Sequence, residues 1–116
     1  MEPTTIHLER ITVDNLAFRR VIETSKEMQL VLMSLKVGED IGMEIHPHTT
    51  QFIRVEEGRG VAILNGEKTK LKPGDAVWIP SGTQHNIINT GNERLSLYTI
   101  YAPPKHPPGT VEISKP

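Results

Sequence analysis

The sequence predicts an all-β, single-domain protein of antiparallel strands, arranged as a sandwich or barrel. Three observations predict it. Short segments of alternating polarity recur at even spacing along most of the chain. Gly, Pro, Asn and Asp stand between these segments as turn residues. Helical periodicity is nearly absent. At 116 residues the chain is one domain, residues 1–116, able to bury a modest core.

Taken in order, residues 1–20 read as an N-terminal arm. The opening "MEPTTIHLER" lacks the basic-then-apolar layout of a signal peptide. "AFRRVIETSKEM" has room for one helical turn, but "RVIETS" is rich in β-branched residues. The core is expected over about 28–102. "MQLVLMSLKV" is a strand ending at Gly38, and "QFIRVEEG" a second, stopped at Gly58. "GVAILNGEKTKL" is a hairpin, with Asn65-Gly66 supplying a type I′ turn. "KPGD" makes the next turn, and "AVWIP" is a strand that Pro80 ends. "HNIIN" and "RLSLYTIYA" follow, separated by "TGNE". Residues 103–116 form a C-terminal arm, because "PPKHPPGT" carries four prolines in eight residues and cannot pair as a central strand. Beyond Gly109, Val111 and Ile113 alternate with polar residues. They are expected to dock on a sheet edge of this or a second subunit, the alternative being a loose tail.

Composition narrows function. A net charge of −1 with scattered basic residues gives no reason to expect a nucleic-acid partner. Lys68, Lys70 and Lys72 alternate and read as one solvated strand face. With no cysteine there is neither a disulfide nor a thiolate metal site, so any metal must take nitrogen and oxygen ligands. No apolar run approaches membrane-spanning length, and a soluble cytoplasmic protein is the expectation.

Two stretches carry the chemistry. In "MEIHPHTTQF", strand alternation would put His46 and His48 on one face, with Gln51 close behind. Glu44 shares their parity and is a candidate fallback ligand or general base, against the plain reading of an exposed acid at a strand start. In "GDAVWIPSGTQHNIIN", His85 begins another strand. Across a small barrel three imidazoles could converge, and three imidazoles plus an amide or carboxylate oxygen suit a divalent transition metal.

These stretches resemble the two motifs of the cupin superfamily. Gly74 to Asn89 matches the second motif at every spaced position: glycine, five residues, proline, one, glycine, two, histidine, three, asparagine. The first motif is glycine, five residues, histidine, one, histidine, three or four, glutamate, six, glycine. His46 and His48 match its histidine pair, and Gln51 takes the glutamate's place six residues before Gly58. Gln51 follows the pair after two residues instead of three, and neither Gly42 nor Gly38 falls at the leading-glycine spacing.

The resemblance implies a small single-domain cupin, a jelly-roll β-barrel with a metal near its open mouth. It implies His46, His48, Gln51 and His85 as metal ligands, and iron, manganese, nickel, zinc or copper as the ion. The alternative for the histidines is a barrel that binds sugar without metal. For Gln51 it is a residue that orients water or a histidine. An amide adds no charge, so a cation held by this set would attract an anionic ligand to complete its shell.

Two function classes stay open. One is a mononuclear metal enzyme acting on a small anionic or sugar-like molecule, either mannose-6-phosphate-isomerase-like or dioxygenase-like. The other is a non-catalytic module that binds a small molecule or metal. Fold resemblance does not choose between them. The partners expected are a small-molecule ligand and a second copy in a homodimer, with neither nucleic acid nor membrane. Asn89, Ile53, Val55, Trp78 and Ile87 are expected to shape core or lumen. His7 and His106 are expected on the surface of the arms, with His106 able to reach the mouth as the alternative. Tyr98 and Tyr101 fall on opposite strand faces by parity, and nothing marks either as an acid or base.

Overall fold

The computed structural model describes residues 2–116. One short helix, α1 (Leu8–Asp14), precedes nine strands: β1 (Arg19–Thr24), β2 (Gln29–Leu35), β3 (Thr50–Glu57), β4 (Gly60–Leu64), β5 (Glu67–Leu71), β6 (Ala76–Ile79), β7 (His85–Asn89), β8 (Leu95–Ala102) and β9 (Val111–Glu112). They form a six-stranded sheet in the order β6-β3-β8-β2-β1-β9 and a three-stranded sheet in the order β5-β4-β7. All recorded pairings are antiparallel. The fold is the expected all-β jelly roll, made of two sheets that share one core.

Register decides where polar groups lie on the inner face. Directly opposed residues of an antiparallel pair share a face. Across β2, β8 and β3 one row runs Leu35–Leu95, the next Met33–Leu97–Val55, the next Val31–Thr99–Ile53, and the last Gln29–Tyr101–Gln51. The first two rows are wholly apolar and buried, and the third admits one threonine. The last row carries two amides and a phenol, all buried at 2% exposure or less. The inner face is therefore a hydrophobic floor with a polar rim at one end. From the smaller sheet, Ala62, Leu71 and Ile87 close the floor.

The Asn65-Gly66 turn has φ of 49° and 86°, as a type I′ hairpin requires. Other elements depart from expectation. "RVIETS" lies in β1 and just beyond it, with no helical turn, in keeping with its β-branched residues. The helix lies instead in "LERITVD", inside the segment read as an arm. Its β-branched Ile11, Thr12 and Val13 make it a poor isolated helix. Buried Thr12, which donates to the Leu8 carbonyl at 2.7 Å, and packing against β8 and β3 hold it. Asn15 stops it by bonding both backbone polar groups of Ala17.

Ile53, Val55, Ile87 and Asn89 are buried as expected, but Trp78 is not: it is 67% exposed. β6 alternates with Val77 and Ile79 facing in, so Trp78 must face out, where its ring lies edge to face with Phe52 at 6.3 Å between centroids.

The C-terminal arm docks on its own chain. β9 pairs with β1, the Phe18 N–H donates to the Ile113 carbonyl, and the Val21 N–H donates to the Thr110 carbonyl. Val111 and Ile113 themselves stay 46% and 71% exposed. Backbone pairing and the Glu112–Arg19 ion pair hold the strand in place of apolar burial.

Candidate metal centre

The polar rim receives side chains from both sheets. The segment before β3 pairs with β7: the Glu44 N–H donates to the His85 carbonyl at 2.9 Å, and the His85 N–H returns the bond at 2.9 Å. That bridge sets Glu44 beside His85. Two residues on, His46 is 5% exposed, with its ring centroid 5.0 Å from that of His85 and 5.9 Å from that of Tyr101. Its carbonyl accepts from the Gly82 N–H at 2.8 Å, tying this segment to the turn before β7. Glu44 Oε2 stands 3.6 Å from His46 Nε2, beyond hydrogen-bond reach.

Hydrogen bonds orient two of these side chains. His85 Nδ1 lies 2.9 Å from the Thr83 carbonyl, which fixes Nδ1 as the protonated nitrogen and leaves the Nε2 lone pair free. Gln51 Nε2 donates to Thr99 Oγ1 at 2.9 Å, which leaves Gln51 Oε1 free. That oxygen and both ring nitrogens of His46 are buried without a partner. Such orphaned atoms are costly and gather where a ligand or ion is meant to sit. Burial holds the His46 imidazole below its usual pKa against the opposing pull of Glu44, so it stays a neutral donor. Burial raises the Tyr101 phenol well above its usual range, so it stays protonated and can donate a hydrogen bond.

The structure gathers His46, Gln51 and His85 with Glu44. His48 stands exposed in the turn that follows Pro47 and is not part of the buried group. The parity that would align His48 with His46 needs a continuous strand, and Pro47–His48 is a turn. The signal for Glu44 lay in the same motif read with four residues before the acid position. Gly38, five residues, Glu44, one, His46, four, Gln51, six and Gly58 then fit every spacing, with glutamate replacing the first histidine. The leading glycine also falls into place.

His106 and Tyr101 complete the neighbourhood. Their rings meet edge to face at 5.2 Å, so the C-terminal arm does reach the rim. Burial lowers the His106 pKa to about 4. As placed, no three His, Cys, Asp or Glu side chains among the described residues already form a metal-ready cluster. The donor set depends on the Gln51 oxygen as well. Two surface grooves, of about 680 and 530 Å³, run along α1 and share no residue with this group.

A family model described as a cupin domain matches residues 31–101. The uncharacterized protein YrkC of Bacillus subtilis is 47% identical over 98% of this chain, which spans 64% of YrkC's length. The uncharacterized protein L612 of Acanthamoeba polyphaga mimivirus is 48% identical, over 96% of this chain and 72% of its own. The crystal structure of BH2720 from Bacillus halodurans superposes with a TM-score of 0.97 at 48% identity, covering 98% of this chain and 91% of that one. Distant relatives differ in what they do. An oxalate-binding protein of Thermotoga maritima is 32% identical over 59% of this chain and 56% of its own. Quercetin 2,3-dioxygenase of Bacillus subtilis is 32% identical over 66% of this chain and 23% of its own.

Proposed function

This chain belongs to the cupin domain family, and on that premise we propose that it is a metal-binding cupin whose rim, formed by Glu44, His46, Gln51 and His85, holds one divalent ion and presents it to a small molecule. The observation that carries this reading is the set of orphaned buried atoms, His46 Nδ1 and Nε2 and Gln51 Oε1, beside the free Nε2 of His85. Two imidazoles, one carboxylate and one amide oxygen suit a first-row divalent metal. When bound, such an ion would supply a Lewis acid to an oxygen-bearing ligand.

The chain's own groups prepare the rest. Thr83 and Thr99 aim two donors, one through its carbonyl and the other through its hydroxyl. Tyr101 offers a phenol that keeps its proton and can donate to a ligand oxygen. Glu44, the half-exposed member, is the one carboxylate able to move a proton at the rim. Isomerase-like chemistry on a small oxygen-rich molecule uses these parts most directly, and dioxygenase-like chemistry shares the same donors. The second reading, a non-catalytic binding module, is favoured by the row Gln29–Tyr101–Gln51, which itself carries neither an acid nor a lysine.

Metal analysis of the purified protein, followed by calorimetric titration with Zn²⁺, Mn²⁺ and Fe²⁺, tests the centre. One equivalent bound, and lost in His46→Ala and His85→Ala, supports it; no binding in the wild type overturns it. Turnover screens over small acids and sugars then separate enzyme from module.

A further inference from the structure

The segment before β3 breaks strand parity. Asp40 stands opposite Ile88, and Glu44 stands opposite His85, each in an isolated antiparallel bridge. Asp40 to Glu44 is four steps along the chain, but Ile88 to His85 is three. One residue of the segment is therefore extra, which makes a β-bulge. Gly42 lies inside it with a φ of +108°, in the left-handed range that a side chain would resist.

The bulge decides which side chains enter the rim. In an unbroken strand Asp40 and Glu44 would share a face. Instead Asp40 lies beside half-buried Ile88, and Glu44 shares the inner face with buried His85. Carried on from Asp40 without the extra residue, the ladder would set Met43 opposite His85 and turn Met43 and Ile45 inward. In the structure these two are 49% and 55% exposed, while Glu44 and His46 face each other at the rim. Two apolar side chains stay in water, and two polar ones take the inner places.

A bulge leaves a backbone group without a ladder partner, and here one side chain takes it up. Asn86 follows His85 on β7 and is buried. Its Oδ1 accepts from the Gly42 N–H at 2.9 Å, and its Nδ2 donates to Asp40 Oδ2 at 2.9 Å. Asp40 Oδ1 accepts in turn from Lys115 Nζ at 2.6 Å. The ionised Asp40 carboxylate only accepts, which fixes the Asn86 amide with its oxygen toward Gly42. One amide thus grips the bulge from both ends.

We propose that Asn86 is a positioning residue for the metal centre: it holds the bulge at Gly42, and the bulge turns Glu44 and His46 toward His85. The inference deepens the metal reading, and only its metal assay rests on that reading. Without the amide, the Gly42 N–H loses its partner, and the segment has a competing register one residue away that turns Met43 and Ile45 in. Deleting Gly42 removes the extra residue. Glu44 then falls opposite His85 in an unbroken ladder, and the grip of Asn86 is no longer needed.

Two assays on the full-length protein test this. In the first, Co²⁺ is titrated into wild type, Asn86→Val, a Gly42 deletion and the two changes combined, followed by calorimetry and the visible absorption of Co²⁺. Asn86→Val should weaken Co²⁺ binding by about tenfold or more and alter the absorption band. The deletion alone should bind like the wild type, and the combined variant like the deletion. A general loss of stability would not be repaired by removing a further residue. Wild-type affinity in Asn86→Val, a deletion that itself loses Co²⁺, or a combined variant as weak as Asn86→Val overturns the inference. The second assay uses no metal. The chain has no cysteine, so His46→Cys carries a single thiol at a buried inward position. That thiol should react slowly with an aromatic disulfide reagent, several times faster once Asn86→Val is added, and slowly again when Gly42 is also deleted. Equal rates with and without Asn86→Val overturn the inference whatever the metal does. A wild type that takes up no Co²⁺ fails the metal reading alone, and the thiol rates then decide whether Asn86 holds the bulge. Thermal melts check that each variant folds. If Asn86→Val does not, Asn86→Ser, too short to span Gly42 and Asp40, replaces it in both assays.

Discussion

Gln29 Nε2 donates to the His106 carbonyl at 2.7 Å, while Gln29 Oε1 accepts from the His106 N–H at 3.0 Å. One fully buried side chain on β2 thereby fixes the tip of an arm more than seventy residues away in sequence. Oε1 also accepts from the Lys105 N–H at 3.2 Å, and Nε2 donates to Thr24 Oγ1 at 3.0 Å.

Gln29→Leu keeps the volume and removes all of these bonds. The partners lost are mostly backbone groups at a part-buried place, so a loss of about 1–3 kcal/mol is expected. Denaturant unfolding measures it. Amide exchange of residues 104–110 should rise in the variant while that of β3 and β8 stays slow; uniform protection across both would mean that the arm is held by β9 alone.

Metal affinity should follow the group gathered at the rim. His48→Ala should leave it unchanged, because His48 is exposed in a turn. His85→Ala should abolish it or nearly so. Glu44→Gln should weaken it and Gln51→Glu should tighten it, since each changes the charge facing the cation by one unit. Calorimetry on the four variants decides. A strong loss in His48→Ala with none in Glu44→Gln would restore the histidine pair as the ligands.

Most of the fold was legible because its signals are local. Asn65-Gly66 needs only its own backbone to specify a hairpin turn, and Val77 and Ile79 declare the inner face of β6 by alternation alone. Trp78 was expected in core or lumen with the apolar residues around it, although the same alternation places it outside. α1 was missed because its support comes from packing on β8 and β3, which no local propensity records. At the site, His85 and Gln51 could be read from spacing. Residue type points to His48 and the spacing that Gly38 and Gly58 together define points to Glu44, and the structure leaves His48 exposed in a turn. His106 could be named only as an alternative, since it meets the rim through the grip of Gln29 on the C-terminal arm, a contact between residues far apart in sequence.

Gly58 closes the first motif for a steric reason. Its φ is +89°, and an added Cβ would lie 2.4 Å from the Arg94 carbonyl oxygen and 2.9 Å from the Leu95 Cα. Both obstacles are backbone and cannot rotate away. Gly58→Ala should therefore cost about 1–3 kcal/mol for the left-handed backbone, with the clash in addition. Gly66→Ala serves as the control, because it shares a positive φ of 86° but meets nothing within 4 Å. Thermal melts should show the larger loss in Gly58→Ala, and equal losses would show that backbone conformation alone is responsible.

The metal-free protein should lose stability between about pH 6.5 and 4. Burial lowers the His106 pKa to about 4 in the folded state, against an ordinary 6.5 in the unfolded chain. A depressed folded pKa means that the unfolded state takes up the proton first as pH falls. The contribution of neutral His106 is thus fully present above the unfolded value of about 6.5 and is lost progressively as pH drops toward about 4. His46 shifts in the same direction for the same main reason, so its contribution too is lost as pH falls below about 6.5. Asp40 does not: its pKa is lowered, chiefly by Lys115, from an ordinary 3.8, so its contribution is lost only below that pH. His106→Phe keeps the ring against Tyr101 and removes the titration. Melting curves from pH 7.5 to 4.5 should therefore fall less steeply for His106→Phe than for the wild type, and parallel curves would show that His106 is not buried neutral against Tyr101.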